Sequence, residues 1–243
     1  MKRYGLIGYP LGHSFSKNYF DAKFASEGLA GVSFENFEIE DLAGLKNRLG
    51  DDIHGFTVTI PHKRNIIPLL SRIDPAAEAA GAVNCVKVEA DGSWTGYNTD
   101  VTGFERSLLD MLGAERPAAL VFGSGGASAA VRYVLDGLGV DFATVSRSEG
   151  GGAILYGQVD PGLIKERKLL VNTTPLGMYP AGDDAVDIPY EALTGDHYLY
   201  DLVYNPAETL FMRLGRRCGA KVKNGLQMLR LQAEAAWDVW NSC

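Results

Sequence analysis

Cysteine is scarce in this chain and odd in number: Cys85, Cys218 and Cys243 lie far apart. That excludes a disulfide framework, suits a reducing compartment and offers no zinc-ligand spacing. Long apolar runs are missing too, with nothing approaching the roughly 20 residues that span a bilayer. The opening "MKRYGLIGYP" carries two basic residues but no apolar stretch behind them, so it does not read as a secretory leader. The cytoplasm is the expected location, with no membrane partner. Basic charge is also short, 23 Lys and Arg against 30 Asp and Glu, a net charge of -7. This argues against a nucleic-acid partner held by phosphate neutralisation. Internal repeats and low-complexity linkers are absent as well.

What is present is ordinary globular material, 46% hydrophobic and 22% charged, in 243 residues. That length holds one large domain or two small ones, each with its own core. Strand and helix alternate twice along it. "YGLIG" and "VSFENFEI" read as strands, and "KNYFDAKFASEG" between them sets Tyr19, Phe20 and Phe24 at helical spacing. "DLAGLKNRL" predicts a short helix capped by Asp41. "FTVTIPHK" contains a buried β-branched strand ended by Pro61, which has no ladder donor. "RNIIPLLSRI" predicts a helix kinked at Pro68, and "VNCVKVEADGSWTGYN" a hairpin turning at Asp91-Gly92. A helix opened by a capping box in "TGFE" (102–105) follows. In the second half, "AALVFG", "FATVSR", "KLLVNTT" and "YLYDLVY" read as strands and "ASAAVRYVLDGLG" as a helix. Such alternation implies a mostly parallel sheet covered on both faces. "LQMLRLQAEAAWDVW" closes the chain as an amphipathic helix. The expected class is α/β, with two domains joined near residues 100–115.

"VFGSGGASAA" leaves a strand and opens a helix, the context of a dinucleotide-binding turn. Gly123 permits the tight turn, Gly125 lets backbone amides approach a pyrophosphate, and Gly126 and Ala127 keep the helix start slim, where dipole and free N–H groups favour phosphate. Ser128 stands where the fingerprint's third small residue falls. Glycine loops also serve as plain strand–helix connections; the surrounding βαβ pattern favours nucleotide binding. At the end of the next strand an NAD site usually carries an acidic residue. Here Ser146, Arg147 and Ser148 stand instead, and a guanidinium flanked by hydroxyls can hold a 2′-phosphate. A solvated loop charge is the plainer account of Arg147, but its position makes NADP the better expectation, with Glu149 keeping NAD open. "NTTPLGM" (172–178) falls at the carboxyl edge of the sheet, where open α/β sheets bind ligands; as a bare motif it is also a simple Pro-Gly turn.

In "GYPLGHSFSK", Ser14 and Ser16 stand two apart. In an extended segment both hydroxyls point one way and grip a carboxylate or polyol; as a helix cap they are unremarkable, and spacing alone favours the cap. Lys63 closes a buried strand, where desolvating an ammonium is costly. Asp100 ends "YNTD" at the expected domain junction, a preferred place for small ligands. A lysine and a carboxylate brought together there satisfy each other's burial and can polarise a carbonyl and supply a proton. A purely structural pair is the alternative.

Taken in order, "GYPLGHSFSK", "FTVTIPHK", "AGAVNCV", "GYNTD", "FGSGGAS", "NTTPLGM", "DLVYNP" and "NGLQMLRLQA" make nearly the whole chain resemble the shikimate dehydrogenase family. The resemblance implies an N-terminal αβ substrate domain over residues 1–101, completed by a C-terminal helix at 225–243 that packs back on it. A Rossmann-like NADP-binding domain at 102–224 lies between. It implies Lys63 and Asp100 as the catalytic pair. It implies Ser14, Ser16, Thr59, Asn84, Tyr204 and Gln232 around the substrate. For the cofactor it implies Gly123, Ser124, Gly125, Gly126 and Ala127 at the pyrophosphate, Ser146, Arg147 and Ser148 at the adenosine phosphate, and Thr173, Gly225 and Met228 on the nicotinamide side. The reaction implied is reversible, NADPH-dependent reduction of 3-dehydroshikimate to shikimate in chorismate and aromatic amino-acid biosynthesis, by a monomer or homodimer. A quinate/shikimate enzyme using NAD or both cofactors is the nearest alternative, and a non-catalytic dinucleotide sensor a more distant one. A two-domain folate-linked dehydrogenase has comparable architecture, but "GHSFS" with "NTD" fits it poorly.

Three departures from the family pattern stand out. Lys17 follows Ser16 where proline is usual. The crossover after Arg147 is shortened near 148–166, which bears on cofactor affinity. The chain also stops at Cys243, short of a further helix that many relatives carry.

Overall fold

The computed structural model describes residues 2–12, 15–148, 152–180 and 182–242. The chain divides into two compact units, Met1–Thr99 with Ala233–Cys243, and Asp100–Gln232. Among the described residues no helix is long and apolar enough to cross a membrane.

In the first unit, β1 (Lys2–Gly8), α1 (Phe15–Ser26), β2 (Val32–Glu38), α2 (Leu45–Leu49) and β3 (Ile53–Val58) come first, followed by β4 (Arg72–Ile73), α3 (Pro75–Ala80), β5 (Cys85–Val88) and β6 (Trp94–Tyr97). The six strands form one sheet ordered β2-β1-β3-β5-β6-β4. It is mixed rather than parallel throughout, because β5 runs antiparallel to both β3 and β6. The expected hairpin turns at Gly92, whose φ of 77° suits a residue without a side chain.

Three local expectations need correction. Asp41 does not cap α2: its carboxylate accepts from the Ala43 amide, an Asx turn, and Gly44 occupies the cap position. The helix expected over 64–73 is reduced to a single 3₁₀ turn, Ile67–Leu69, with Pro68 in it. Proline ends the i→i−4 ladder at that point, and the chain then extends into β4. The capping box at 102–105 does not form, since the helix has already begun at Thr99.

The second unit is carried by α4 (Thr99–Leu112), β7 (Ala119–Phe122), α5 (Gly126–Gly137), β8 (Phe142–Ser146), β9 (Ile154–Leu155) and α6 (Pro161–Glu166). It continues through β10 (Leu169–Asn172), β11 (Tyr198–Asp201), α7 (Leu210–Arg217), β12 (Lys221–Asn224) and the first turns of α8 (Leu226–Asn241). Among the described residues its strands pair in parallel throughout, in the order β12-β11-β10-β7-β8-β9. Both faces are covered, as uninterrupted apolar strands require. Ala119, Val121, Leu169, Val171, Tyr198 and Tyr200 pack towards α4 and α5, while Leu120, Phe122, Leu170 and Leu199 pack with Ile164 of α6 and Phe211 of α7. The crossover after β8 keeps a helix, but only the six residues of α6, capped by the Asp160 carboxylate on the Leu163 amide.

The last helix is shared. Met228 belongs to the core of the second unit, and Gly103 on α4 permits this, because a side chain there would meet the Met228 carbonyl. From Ala233 onward α8 packs on the first unit's sheet with Tyr4, Phe20 and Phe34. Trp240 stacks on Tyr4 with ring centroids 4.8 Å apart and donates its indole N–H to the Val86 carbonyl at 3.0 Å. The indole lies where a side chain on Gly55 would go. Tyr19 and Lys23 of α1 both reach Glu234 of α8, Lys23 at 2.8 Å.

Trp240→Ala should therefore cost about 3–5 kcal/mol of stability, and Gly55→Ala about 1–3 kcal/mol through overpacking. The double variant should cost clearly less than the sum, because removing the indole makes room for the methyl. Urea unfolding of the four proteins measures this, and strict additivity would refute the packing account.

Candidate active site

In the first unit, β3 ends at Val58, and the chain turns through 59–63 so that Thr59 and Lys63 lie beyond the strand's carboxyl end. The Thr59 amide donates to the Ile7 carbonyl at 2.8 Å, and the His62 amide to the Thr59 carbonyl at 2.8 Å. His62 is buried, its Nε2 bonded to the Ile39 carbonyl at 2.6 Å. The Lys63 carbonyl accepts from the Val83 amide at 2.8 Å, and the Val58 amide donates to the Asn84 carbonyl at 2.8 Å. Lys63 is half-buried and Asn84 is buried.

The Asn84 side-chain oxygen accepts twice from Thr99, from the amide at 2.6 Å and from the hydroxyl at 3.2 Å. Thr99 is the first residue of α4, and Asp100 is the next. Thr59, Lys63 and Asn84 are thus joined through one hydrogen-bonded frame, and Asp100 is covalently adjacent to it. Asp100 itself is 7% exposed. Ser16 is buried on the first turn of α1; Ser14 lies outside the described residues.

In the second unit, β7 is the branch point: β8 continues the chain on one side, while β10 lies on the other. Ligands bind at the carboxyl ends of strands beside such a reversal. Gly123 follows β7 with φ 111°, and a side chain there would meet Thr173 Oγ1 at 2.6 Å. Thr173 in turn donates to the Phe122 carbonyl, from its amide at 3.0 Å and its hydroxyl at 2.6 Å. Ser128, fully buried, donates to the Gly123 carbonyl at 2.7 Å, so the hydroxyl fastens the glycine turn from below. No side chain caps α5 at Gly125, and a side chain there would find open space. Ser124, Gly126 and Ala127 complete that helix start. Bare amides, a left-handed glycine and room beside the helix fit a dinucleotide's pyrophosphate.

At the end of β8, Ser146 is buried and bonded to the Ser148 amide at 3.3 Å, while Arg147 is exposed. Tyr156, which stacks on Phe122 with centroids 6.0 Å apart, lies within electrostatic reach of Arg147. Burial pushes its phenol up, and the guanidinium pulls the other way. Gly225 precedes α8 where a side chain would strike the Leu202 backbone. Met228 is 7% exposed and sits in the core. Tyr204 is half-buried, its phenol pushed up by burial. Gln232 is buried and donates to the Leu229 carbonyl at 3.0 Å.

Sequence reasoning missed Ser128 as a loop fastener and Tyr156 as Arg147's neighbour. It also missed Asn172, Asp201 and Thr209, which form a buried polar cluster beneath two of the loops. The signal for Asp201 was available: it is the single charge in the apolar run "YLYDLVY".

A parallel sheet with a glycine turn at its branch point, preceded by a mixed-sheet unit bearing a framed lysine, defines a two-unit nucleotide-binding α/β protein. Residues 6–86 match the shikimate dehydrogenase substrate binding domain. An NADP+ shikimate dehydrogenase of Methanococcus maripaludis is 35% identical over 98% of this chain and 91% of its own. One from Oleidesulfovibrio alaskensis is 38% identical over 98% and 88%. The solved Thermus thermophilus shikimate 5-dehydrogenase, in complex with NADP(H) and shikimate, is 30% identical with a TM-score of 0.86, covering 99% of this chain and 94% of that one. The quinate dehydrogenase of Corynebacterium glutamicum, solved with NAD, is 28% identical with a TM-score of 0.88, covering 99% and 93%. The chain belongs to the shikimate dehydrogenase family.

Gly123→Ala should force a left-handed backbone and a clash with Thr173, costing about 1–3 kcal/mol and weakening NADP+ binding by about tenfold or more. Melting together with fluorescence titration checks it. A variant matching the wild type in both would remove Gly123 from the site.

Proposed function

We propose that this chain catalyses the reversible, NADPH-dependent reduction of 3-dehydroshikimate to shikimate, a step of chorismate and aromatic amino-acid biosynthesis. The observation that carries the reading is the frame in which Val83 and Asn84 tie the Lys63 turn to the helix start bearing Asp100. The glycine turn at the branch of the second sheet supports the cofactor half, and the names of the relatives support the substrate.

NADPH, when bound, supplies the hydride. As the carbonyl carbon accepts it, negative charge develops on oxygen, and Lys63 stabilises that charge more strongly than the neutral ketone. Lys63 then delivers the proton that completes the alcohol; in the reverse direction it accepts one. Asp100 holds the neighbouring hydroxyl and the lysine's orientation. Thr59 and Asn84 contact the ring hydroxyls with Tyr204 and Gln232, and Ser14 and Ser16 hold the carboxylate. Gly123, Ser124, Gly125, Gly126 and Ala127 bind the pyrophosphate. Thr173, Gly225 and Met228 line the nicotinamide side. Arg147, between Ser146 and Ser148, reads the 2′-phosphate and so prefers NADP to NAD.

Steady-state rates with shikimate or quinate, each with NADP+ or NAD+, test the whole reading. Shikimate with NADP+ should give the highest kcat/KM; quinate with NAD+ in that place would reassign the chain within its family. Lys63→Ala should lower kcat by about two or more orders of magnitude with shikimate affinity little changed. Unchanged turnover in the purified variant would reject the role. Arg147→Ala should weaken NADP+ by about tenfold or more and NAD+ far less. Equal weakening of both would remove the 2′-phosphate contact.

A further inference from the structure

Beneath the loops that follow β10 and β11 lies a carboxylate with no part in the chemistry above. Asp201 is fully buried. Its Oδ1 accepts from Asn172 Nδ2 at 2.9 Å and from the Val203 amide at 3.0 Å, and its Oδ2 accepts from Thr209 Oγ1 at 2.5 Å. Asn172 pairs with Asp201 in the parallel ladder. The Asn172 oxygen then accepts from Thr174, from the amide at 3.0 Å and the hydroxyl at 2.6 Å. One carboxylate therefore fastens the segment carrying Thr173, the segment carrying Tyr204 and the start of α7.

We propose that Asp201 is a positioning residue for cofactor binding: by holding Asn172 it fixes the 172–176 loop and keeps Thr173 seated against Gly123. This rests on the NADP-binding role proposed above for that edge of the sheet.

The donor count favours the ionised form. An amide N–H, an Asn NH₂ and a threonine hydroxyl surround the group, and a carboxylate, acceptor at every position, takes all three as donors. A proton on Oδ1 would oppose Asn172 and Val203. A proton on Oδ2 would reverse the Thr209 bond, the threonine oxygen then accepting from Asp201 as well as from the Met212 amide at 3.4 Å, with its own proton turned out of the clamp. Asn172 cannot compensate by flipping, since its NH₂ would then face the Thr174 amide. Among neighbouring titratable groups, the Tyr190 phenol feels the Asp201 charge and is itself held neutral by burial. The ladder partners on either side, Asn172 and Asn224, do not titrate. Burial raises the Asp201 carboxyl from the usual carboxylate range to about 6, against its three hydrogen bonds. The clamp is accordingly strongest at neutral pH and weakens as pH falls through that value.

The test uses Asp201→Asn and Thr209→Val, with Thr209→Ser as the variant that retains the hydroxyl. NADPH binding is titrated by fluorescence from pH 5 to 8, and amide exchange is followed by mass spectrometry. In both Asp201→Asn and Thr209→Val, exchange over 172–176 should quicken while that of the flanking strands holds. At pH 7 NADPH should bind about tenfold more weakly to Asp201→Asn, with KM for NADP+ rising and kcat nearly unchanged. Thr209→Ser should restore wild-type behaviour. The 2′-phosphate titrates near pH ~6 itself, so the readout is the ratio of variant to wild-type affinity, which should narrow towards one at pH 5. Folded variants with wild-type exchange at 172–176, or an affinity ratio that does not change with pH, would overturn the proposal. A wild type that fails to bind NADPH at any pH would instead sink the cofactor reading, and the exchange arm alone would then decide the clamp.

Discussion

Two consecutive residues, Val83 and Asn84, support most of the candidate chemistry. The Val83 amide holds the Lys63 carbonyl, and the Asn84 side chain holds the first residue of α4, directly before Asp100. Both residues are buried, and the Asn84 amide is itself bonded to the Tyr97 carbonyl at 3.0 Å. The hub is therefore fixed in the sheet from both sides, and the two groups proposed for the acid–base work stand beside it, Lys63 through its carbonyl and Asp100 next in the chain to Thr99. Preorganisation of this kind is what makes a charged group effective in a transition state, because little reorganisation remains for the moment of reaction.

The same economy recurs in the second unit with a different element. There the glycine turn has no side chains to hold it, so its shape is set by neighbours: Ser128 below and Thr173 beside. Thr173 depends on Asn172, and Asn172 on Asp201. A serine at the fingerprint's small-residue position thus reinforces the turn, because its hydroxyl reaches the Gly123 carbonyl without intruding on the space above it.

Much of this was legible in the sequence because periodicity and punctuation are local. Four strands of the second unit announce themselves as apolar runs, the hairpin by Asp91-Gly92, and the glycine turn by its place between a strand and a helix; the two-residue β9 and the lysine-bearing β12 carry no such signal. The misreadings share one cause. Asp41, Pro68 and Thr102 each carry a local signal that a tertiary demand overrides: an Asx turn before Gly44, the need to extend into β4, and a helix already started by the Asn84–Thr99 bond. Tertiary contacts were legible only as a lone charge that needs partners, not as the partners themselves. Nothing near "YLYDLVY" says that three donors from three segments converge on Asp201, although a lone acid in a buried strand must find such partners or be expelled. The ordered motifs identified the family as a whole, and no single one of them would have done so.

The crossover between β8 and β10 shows how the fold accommodates a short helix on one face. The parallel strands β8 and β10 are short, and a four-residue strand rises only about 13 Å, so the return helix need not be long. Six residues of α6 supply about 9 Å; β9 and the 3₁₀ turn at Tyr156–Gln158 add to the path. What a short helix cannot do is cover the sheet. That task falls to the irregular stretch before β11, where Val186, Ile188, Ala192 and Leu193 pack on Leu120, Leu170 and Leu199. His197 fastens this substitute cover to α6. It is fully buried, accepting from the Thr194 amide at Nδ1 (2.9 Å) and meeting the Ile164 carbonyl with Nε2 (3.0 Å), which fixes the neutral tautomer with hydrogen on Nε2. The hydrophobic face is therefore closed by this loop together with Ile164 of α6 and Phe211 of α7, with His197 pinning the loop to α6. The consequence falls on the proposed adenosine side, where the end of β8 offers an exposed Arg147 beside the buried Ser146 as the group proposed to read the 2′-phosphate.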